Sequence, residues 1–449
     1  MPILKEQVLA VLEGRRDYQT ALEYYNGDIP EVFTTAKLRA AYARLKENPR
    51  LNFTRTIVNV VNDRLEVSSI STGDPAQSEF INKVWESNEL DIEANIIHRN
   101  ALIFGESFAL VWVDDSGDWL VAGHTPLSMA LVYDTENPRI KSYAVKLWKH
   151  DSKSHRLNLY YADRIEKYSA RVTDVTEGTQ WTRIGTEDNP FGQVPVFHFR
   201  TDRPKGRPEH YDAYGAQDAV NKHFINSMIS VDYQAAPQRY ALADAGSSNE
   251  ADDFNDGDTD RENTNALKSD PGNVWYMKGI KGVGEFKPAD PDVFWKPIMN
   301  ALLAAAALTC TPMHYFDVGK GGLYGAAMRV AEAPMLKKVG DRKLAFGHAW
   351  SDLFKFILLA EGIASKVDVF WKEVESLDES ERWDITLKKV NAGLSHKQAL
   401  REGGYSEEQI EAIMAERKAE ADEGLYYQRV AQTRVNVSNS ETNTINGVN

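Results

Sequence analysis

The stretch from residue 288 to 346 limits what this chain can become more than any other. An alanine-rich apolar segment runs into a glycine-rich one, and a second, amphipathic segment follows. Phe294, Ile298, Ala301, Leu302, Ala305 and Leu308 recur at the 3.6-residue spacing of one helix face. Met299, Leu303 and Ala306 cover a second face, so this helix must be buried on several sides at once. Its unbroken apolar run, Ala301 to Leu308, is eight residues long and too short to cross a bilayer. The connection from Thr309 to Leu323 carries Pro312, the pair Tyr315–Phe316, and Gly319, Gly321 and Gly322. An exit helix is expected from near Tyr324 to Ala327 onward, with Arg329, Glu332, Lys337, Lys338 and Arg342 on its polar side. Pro334 falls inside it, where the missing N–H and the ring predict a kink.

A chain of 449 residues has room for two or three domains, and 42% hydrophobic with 26% charged residues is a globular composition. The single cysteine, Cys310, excludes an internal disulfide and fits a reducing cytosol. Neither a signal peptide nor a membrane span is read. A net charge of −14 argues against a protein that grips DNA phosphates, which needs clustered Lys and Arg. It is compatible with one that lets DNA pass without sticking.

Taken in order, residues 3 to 25 read as one helix (Leu4, Val8, Leu12, Leu22) stopped by Gly27 and Pro30. Asn52 to Leu65 reads as a second helix and Glu66 to Ile70 as a short strand. A third helix holds Ile81, Val84, Trp85 and Leu90, and a fourth runs on to Phe104. Strands then dominate. Ser107 to Val113 turns at Asp114–Gly117 into Asp118 to Ala122, a hairpin signal. Others are expected at Ala130 to Tyr133, Lys141 to Trp148, Arg156 to Tyr161, Arg164 to Tyr168 and, after the Asn189–Gly192 turn, Val194 to Phe199. This is an α+β arrangement, without βαβ alternation.

Tyr211 to Gln234 is helical again. Residues 243 to 264 form an acidic, turn-rich insertion in which eight acids against Arg261 leave −7, half the charge of the chain. A short strand is expected at Val274 to Met277. The exit helix extends through Trp350, Phe354 and Leu358. Val367 to Phe370 and Trp383 to Leu387 read as returning strands, Ser395 to Glu420 as charged helix, and Thr433 to Asn449 as a disordered polar tail.

Motifs for chemistry are few. The ten histidines show no H-E-x-x-H and no pair at ligand spacing, so no zinc site is assigned; His98 and His348 read as helix-face residues. Gly319–Lys320–Gly321–Gly322 fails as a phosphate loop, with His314 and Gly321 where a Walker motif needs Gly and Ser or Thr. Asp256, Asp258 and Asp260 match the first ligands of an EF-hand, but Arg261 replaces the turn glycine and Leu267 the bidentate glutamate. A solvated acidic loop is the plainer reading. No Gly-x-Ser-x-Gly elbow occurs, and carboxylates are numerous enough to leave glycosidase-type chemistry open. No catalytic, cofactor or metal site is assigned.

Eight fragments in order resemble the portal proteins of tailed bacteriophages, especially long-tailed phages of actinobacteria, across roughly Leu22 to Glu411. They are Tyr24-Tyr25-x-Gly27; Asn52-x-x-Arg55-x-Ile57-Val58; Val84-Trp85-x-x-Asn88-x-Leu90-Asp91; and Ala101-Leu102-Ile103-Phe104-Gly105-x-Ser107-Phe108. Asn189-Pro190-Phe191-Gly192-x-Val194-Pro195-Val196, Gln217-Asp218-x-x-Asn221, Pro237-Gln238-Arg239-Tyr240 and Thr309-x-Thr311-Pro312-x-His314-Tyr315 complete the set. The chain departs from the family pattern at Pro208 and at Gly325–Ala326.

The resemblance implies an α+β portal fold and a homo-oligomeric ring of twelve subunits at one capsid vertex of the virion, assembled in the host cytoplasm. It implies a wing over 1–210, stem helices over 211–234 and 288–308, and a clip over 235–287. A tunnel loop would span 309–323, the long kinked helix with returning wing strands 324–392, crown helices 393–425 and a polar tail 426–449. Double-stranded DNA would pass through the channel. The large terminase subunit, major capsid and scaffolding proteins and a head–tail adaptor would be partners, with no membrane, no cofactor and no enzymatic activity. Tyr315, Phe316, Val318, Gly319, Lys320, Gly321, Gly322 and Leu323 would face DNA, and Phe294, Ile298, Leu302, Ala305 and Leu308 would pack the stem. Two other readings stay open from the residues alone: a soluble cytosolic α+β hydrolase with a carboxylate-based site, or another capsid or connector component.

Overall fold

The computed structural model describes residues 4–28, 51–203, 205–235, 239–243, 280–285, 292–316, 326–372, 387–402, 410 and 413–418. The chain divides into two compact units, Met1–Lys372 and Glu373–Asn449. The first opens with two helices, α1 (Lys5–Leu12) and α2 (Arg15–Asn26), where the sequence reads as one. Gly14 separates them at φ +74°, a left-handed conformation that a side chain disfavours. Gly27 closes α2 in the same conformation, as expected.

Then come α3 (Thr54–Asn62), β1 (Val67–Ser71), α4 (Pro75–Ser87) and α5 (Leu90–Phe104). Asp74 caps α4 by accepting from the Ala76 and Gln77 N–H groups. The strands are β2 (Glu106–Val113), β3 (Trp119–His124), β4 (Met129–Tyr133), β5 (Lys141–Asp151), β6 (Ser154–Tyr160), β7 (Arg164–Ala170), β8 (Thr182–Asp188) and β9 (Val196–Arg200). All pair antiparallel, in a three-stranded sheet β3-β2-β9 and a five-stranded meander β4 to β8. The predicted hairpin is present, with Val113 opposite Trp119. Strand β8 is an addition to the sequence reading. It is an edge strand, and none of its residues is buried, so it carries no hydrophobic alternation to read.

A 3₁₀ turn (Tyr211–Ala213) leads into α6 (Tyr214–Ala235). The antiparallel pair β10 (Arg239–Ala243) and β11 (Ile280–Glu285) follows, then α7 (Asp292–Thr309), a 3₁₀ turn (Met313–Tyr315), α8 (Ala326–Ala360) and β12 (Asp368–Trp371). Strand β12 returns to β1, pairing Ile70 with Val369. Residues 244–264 and the expected strand at Val274 to Met277 lie outside the described residues. In the second unit, 387–390 is helical, so Leu387 does not end a strand; 383–386 are outside the described residues. Helix α9 (His396–Glu402) belongs to the expected charged helical region. No helix among the described residues is long and apolar enough to cross a membrane.

Fragments far apart in sequence meet at the start of α6. The Tyr24 hydroxyl lies 3.0 Å from both carboxylate oxygens of Asp218, and its ring stacks on Tyr214 at 3.8 Å. Asn52 donates to the Tyr25 carbonyl at 2.9 Å, the Phe53 N–H to Gln217 Oε1 at 2.8 Å, and Gln217 Nε2 to the Leu51 carbonyl at 2.6 Å. Buried polar groups need such partners, which fixes α2, residues 51–54 and α6 in one register. His98, read as a helix-face residue, is instead fully buried. It meets the Leu65 carbonyl through Nδ1 (3.0 Å) and accepts from Trp350 Nε1 at Nε2 (2.8 Å). Burial lowers its pKa to about 4, so it is a neutral link between α5 and α8.

Candidate functional site

Helix α7 is where periodicity and packing can be compared directly. Ile298 and Leu302 are buried with Val220 of α6, and Ala305 and Ala306 with Ile57, Ala213 and Phe316. Phe294 is half-buried, and Pro297 is tolerated inside the helix. Burying Ile298 and Leu302 contributes roughly 1.5–3 kcal/mol each. The other faces stay uncovered in the single chain: Val293, Trp295, Leu303 and Leu308 are each more than half exposed. Leu308, expected among the packing residues, is thus mostly exposed within the single chain.

The helix ends without glycine. Cys310 turns the chain at φ +52°, the Thr311 N–H reaches back to the Ala306 carbonyl at 3.0 Å, and Thr309 Oγ1 donates to the Ala305 carbonyl at 2.8 Å. Pro312 then starts the 3₁₀ turn. This brings Tyr315 and Phe316 to positions that the sequence reading did not foresee. Phe316 is 7% exposed, in the core with Ile57 and edge-on to Phe53 at 5.9 Å. Tyr315 donates its hydroxyl to Glu332 Oε1 at 2.6 Å and accepts from Arg64 Nη2. Burial and the Glu332 carboxylate both raise its pKa, so it remains a phenol donor. Within the single chain, then, Phe316 is a core side chain and the Tyr315 hydroxyl is committed. Val318, Gly319, Lys320, Gly321, Gly322 and Leu323 lie outside the described residues.

The charged residues of α8 also differ from their reading as one polar side. Lys337 pairs with Asp341 on the surface, but Lys338 and Arg342, one turn apart, grip Glu209. Glu209 is nearly inaccessible; its oxygens lie 2.9 Å from Lys338 Nζ and 3.0 Å from Arg342 Nε. Lys338 also donates to the Thr309 carbonyl (2.5 Å) and Arg342 to the Thr201 carbonyl (2.6 Å). Burial works against the Glu209 charge, but the two cations outweigh it and hold the carboxyl below its ordinary pKa. The signal in sequence was the i, i+4 spacing of Lys338 and Arg342; the partner, over a hundred residues earlier, gave none.

A second polar cluster lies between the sheets. His198 Nε2 is 2.9 Å from Glu106 Oε2, its Nδ1 is 3.1 Å from the Tyr133 hydroxyl, and Tyr18 donates to Glu106 Oε1. Burial lowers the His198 pKa, so neutral imidazole donates to Glu106 and accepts from Tyr133. These groups line a cavity of about 260 Å³ with Met129, Leu131 and Lys205. Each of the four polar side chains is satisfied by the others, which is how a buried structural network is built. Among the described residues, no three His, Cys, Asp or Glu side chains are grouped to hold a metal ion.

The chain matches the model of the phage portal proteins described as SPP1 Gp6-like over residues 11–423, and it belongs to that family. It is similar to the portal protein of Mycobacterium phage L5, with 21% identity over 457 aligned positions covering 94% of this chain and 90% of the relative. Among solved structures, it is similar to the neck of an empty gene transfer agent particle computed with C6 symmetry. That match has 14% identity and a TM-score of 0.49, covering 84% of this chain and 95% of the other. The neck of a native particle computed with C12 symmetry matches at 14% identity and a TM-score of 0.47, covering 79% and 91%. The α+β portal reading of the sequence holds at the level of the family.

Proposed function

We propose that this chain forms a closed ring, of twelve copies by the family count, at one vertex of a phage capsid. The ring is the conduit for double-stranded DNA during packaging and ejection, and the docking platform for the large terminase subunit and a head–tail adaptor. The observation that carries this reading is the family match over residues 11–423. Two others support it. The uncovered apolar positions of α7, Val293, Leu303 and Leu308, suit side-by-side packing of helix pairs through heterologous contacts. A net charge of −14 suits a channel that holds DNA weakly, because each neutralised phosphate adds affinity that opposes sliding.

In this reading residues 1–210 are the wing, α6 and α7 the stem, 235–287 the clip, 309–323 the tunnel loop, and 393–425 the crown. With Phe316 in the core, contact with DNA falls to Val318 through Leu323, where Lys320 offers one cation per subunit. The reading is tested by imaging purified protein and weighing it. Rings with a central hole at about 606 kDa (12 × 50.5 kDa) are expected; a strict monomer at micromolar concentration refutes it. For the loop, DNA content per head is measured for Lys320→Ala and for Gly321→Pro, which stiffens the backbone. Wild-type packaging and retention in both variants refutes the role of the loop while leaving the ring intact.

A further inference from the structure

Helix α8 is attached to the rest of its unit in two different ways on either side of Pro334. From Met335 onward the helix is embedded. Met335, Val339, Phe346, Trp350, Leu353, Phe354 and Ile357 are all buried, and Lys338 and Arg342 hold the inaccessible Glu209. Before Pro334, no described side chain of α8 is buried; Met328 and Val330 are 38% and 76% exposed. Among its described residues, what holds this first arm, Ala326 to Ala333, is Glu332. Its carboxylate accepts from Tyr315 at 2.6 Å, with Arg64 Nη2 at 3.6 Å and His314 Nε2 at 3.4 Å. Arg64 comes from the turn after α3, donates to the Val60 carbonyl at 2.9 Å and covers the Tyr315 ring at 5.4 Å. Two separate parts of the chain, the turn after α3 and residues 314–315, therefore converge on one carboxylate of α8.

Pro334 sits between arm and body. It has no N–H, so the Val330 carbonyl lacks its ordinary partner four residues on, and the helix loses stiffness there. The two anchors also differ in solvent access. Glu209 is 4% exposed at its side chain, whereas Glu332, Arg64 and His314 are 18–20% exposed. Water and salt reach the Glu332 carboxylate and screen it; they barely reach the Glu209 carboxylate, although its two cations are about as accessible as Arg64 and His314. Arg64 Nε and both His314 ring nitrogens are buried without a hydrogen-bond partner, so this cluster is also incompletely satisfied.

We propose that Glu332 is a releasable latch. Its bonds to Tyr315 and Arg64 hold the first two turns of α8 against the body of the unit. When they break, the arm opens about Pro334 while the part of α8 beyond it stays in place. This local opening requires no loss of the apolar core of the described residues, because none of the arm's described side chains is buried in it.

The test is hydrogen exchange on the full-length protein, comparing peptides covering 326–333 with peptides covering 338–358. Glu332→Gln keeps the shape and removes the charge. Exchange in 326–333 is expected to rise about ten- to a hundredfold, the equivalent of losing a charge-assisted hydrogen bond, with 338–358 unchanged. Tyr315→Phe should give a smaller rise in the same peptides. Raising salt from 0.05 to 1 M should do so in the unaltered protein, with no risk of misfolding. Adding Pro334→Ala to Glu332→Gln restores a backbone donor and should return part of the protection. An unchanged 326–333 in all three perturbations, or an equal rise in both regions, overturns the latch. None of these outcomes depends on whether the protein forms a ring.

Discussion

Glu209→Gln isolates one buried charge cluster. The substitution preserves volume but exchanges a carboxylate that accepts from two cations for an amide with one acceptor oxygen. Lys338 and Arg342 each retain one backbone carbonyl, at Thr309 and Thr201, so neither is left wholly unpaired. Removing one member of a buried ion cluster costs about 3–5 kcal/mol. The retained bonds and the 15–20% exposure of the two cations reduce that to an expected loss of about 2–3 kcal/mol. The assay is urea unfolding of both proteins between pH 3 and 8, followed by tryptophan fluorescence, since Trp350 lies two turns beyond Arg342 on the same helix. The pH dependence has a definite sign. The folded-state pKa of Glu209 is depressed, so its contribution is complete above the unfolded glutamate value of about 4.3 and disappears as pH falls through the lower folded value. The gap between the proteins should be constant from pH 8 to about 5 and narrow below that. A gap under about 0.5 kcal/mol at pH 7, or one that does not narrow in acid, refutes the reasoning.

Three other substitutions probe separate parts of the molecule. Gly206→Ala would place a Cβ 1.7 Å from the Gly105 carbonyl oxygen, a backbone atom that cannot swing away, so a loss above about 3 kcal/mol and low soluble yield are expected. Leu302→Ala opens a cavity between α6 and α7 and should cost about 2–5 kcal/mol in the same unfolding assay. Leu303→Ala, at a half-exposed position of α7, should leave the stability of the single chain within about 0.5 kcal/mol; under the ring proposal it should weaken assembly, read as subunit dissociation on dilution.

What the sequence determined by itself was local. The 3.6-residue pattern placed α7 to within a residue of its end, the Asp114–Gly117 turn placed the β2–β3 hairpin, and Gly27 stopped α2. Each is a signal written in neighbouring residues, and so were the fragments that marked the family. Even Gly14, which divides the first helical region, needed its positive φ to be recognised, because glycine inside a helical pattern is ambiguous until the backbone is seen. Strand β8 lacked a buried face, so no alternation announced it.

The tertiary structure decided the meaning of the charged and aromatic residues around 315–342. Glu332, Lys338 and Arg342 looked like one solvated face of a helix, and Tyr315 and Phe316 like free bulk on a loop. Their roles depend on Arg64, Glu209, Ile57 and Phe53, which lie more than a hundred positions away. An ion pair or core contact at that separation leaves no periodicity in either partner. Burial, which turns a surface charge into a clamp, is a property of the packed chain, so the sequence could supply Glu209 and Arg342 while only the fold could make them a pair.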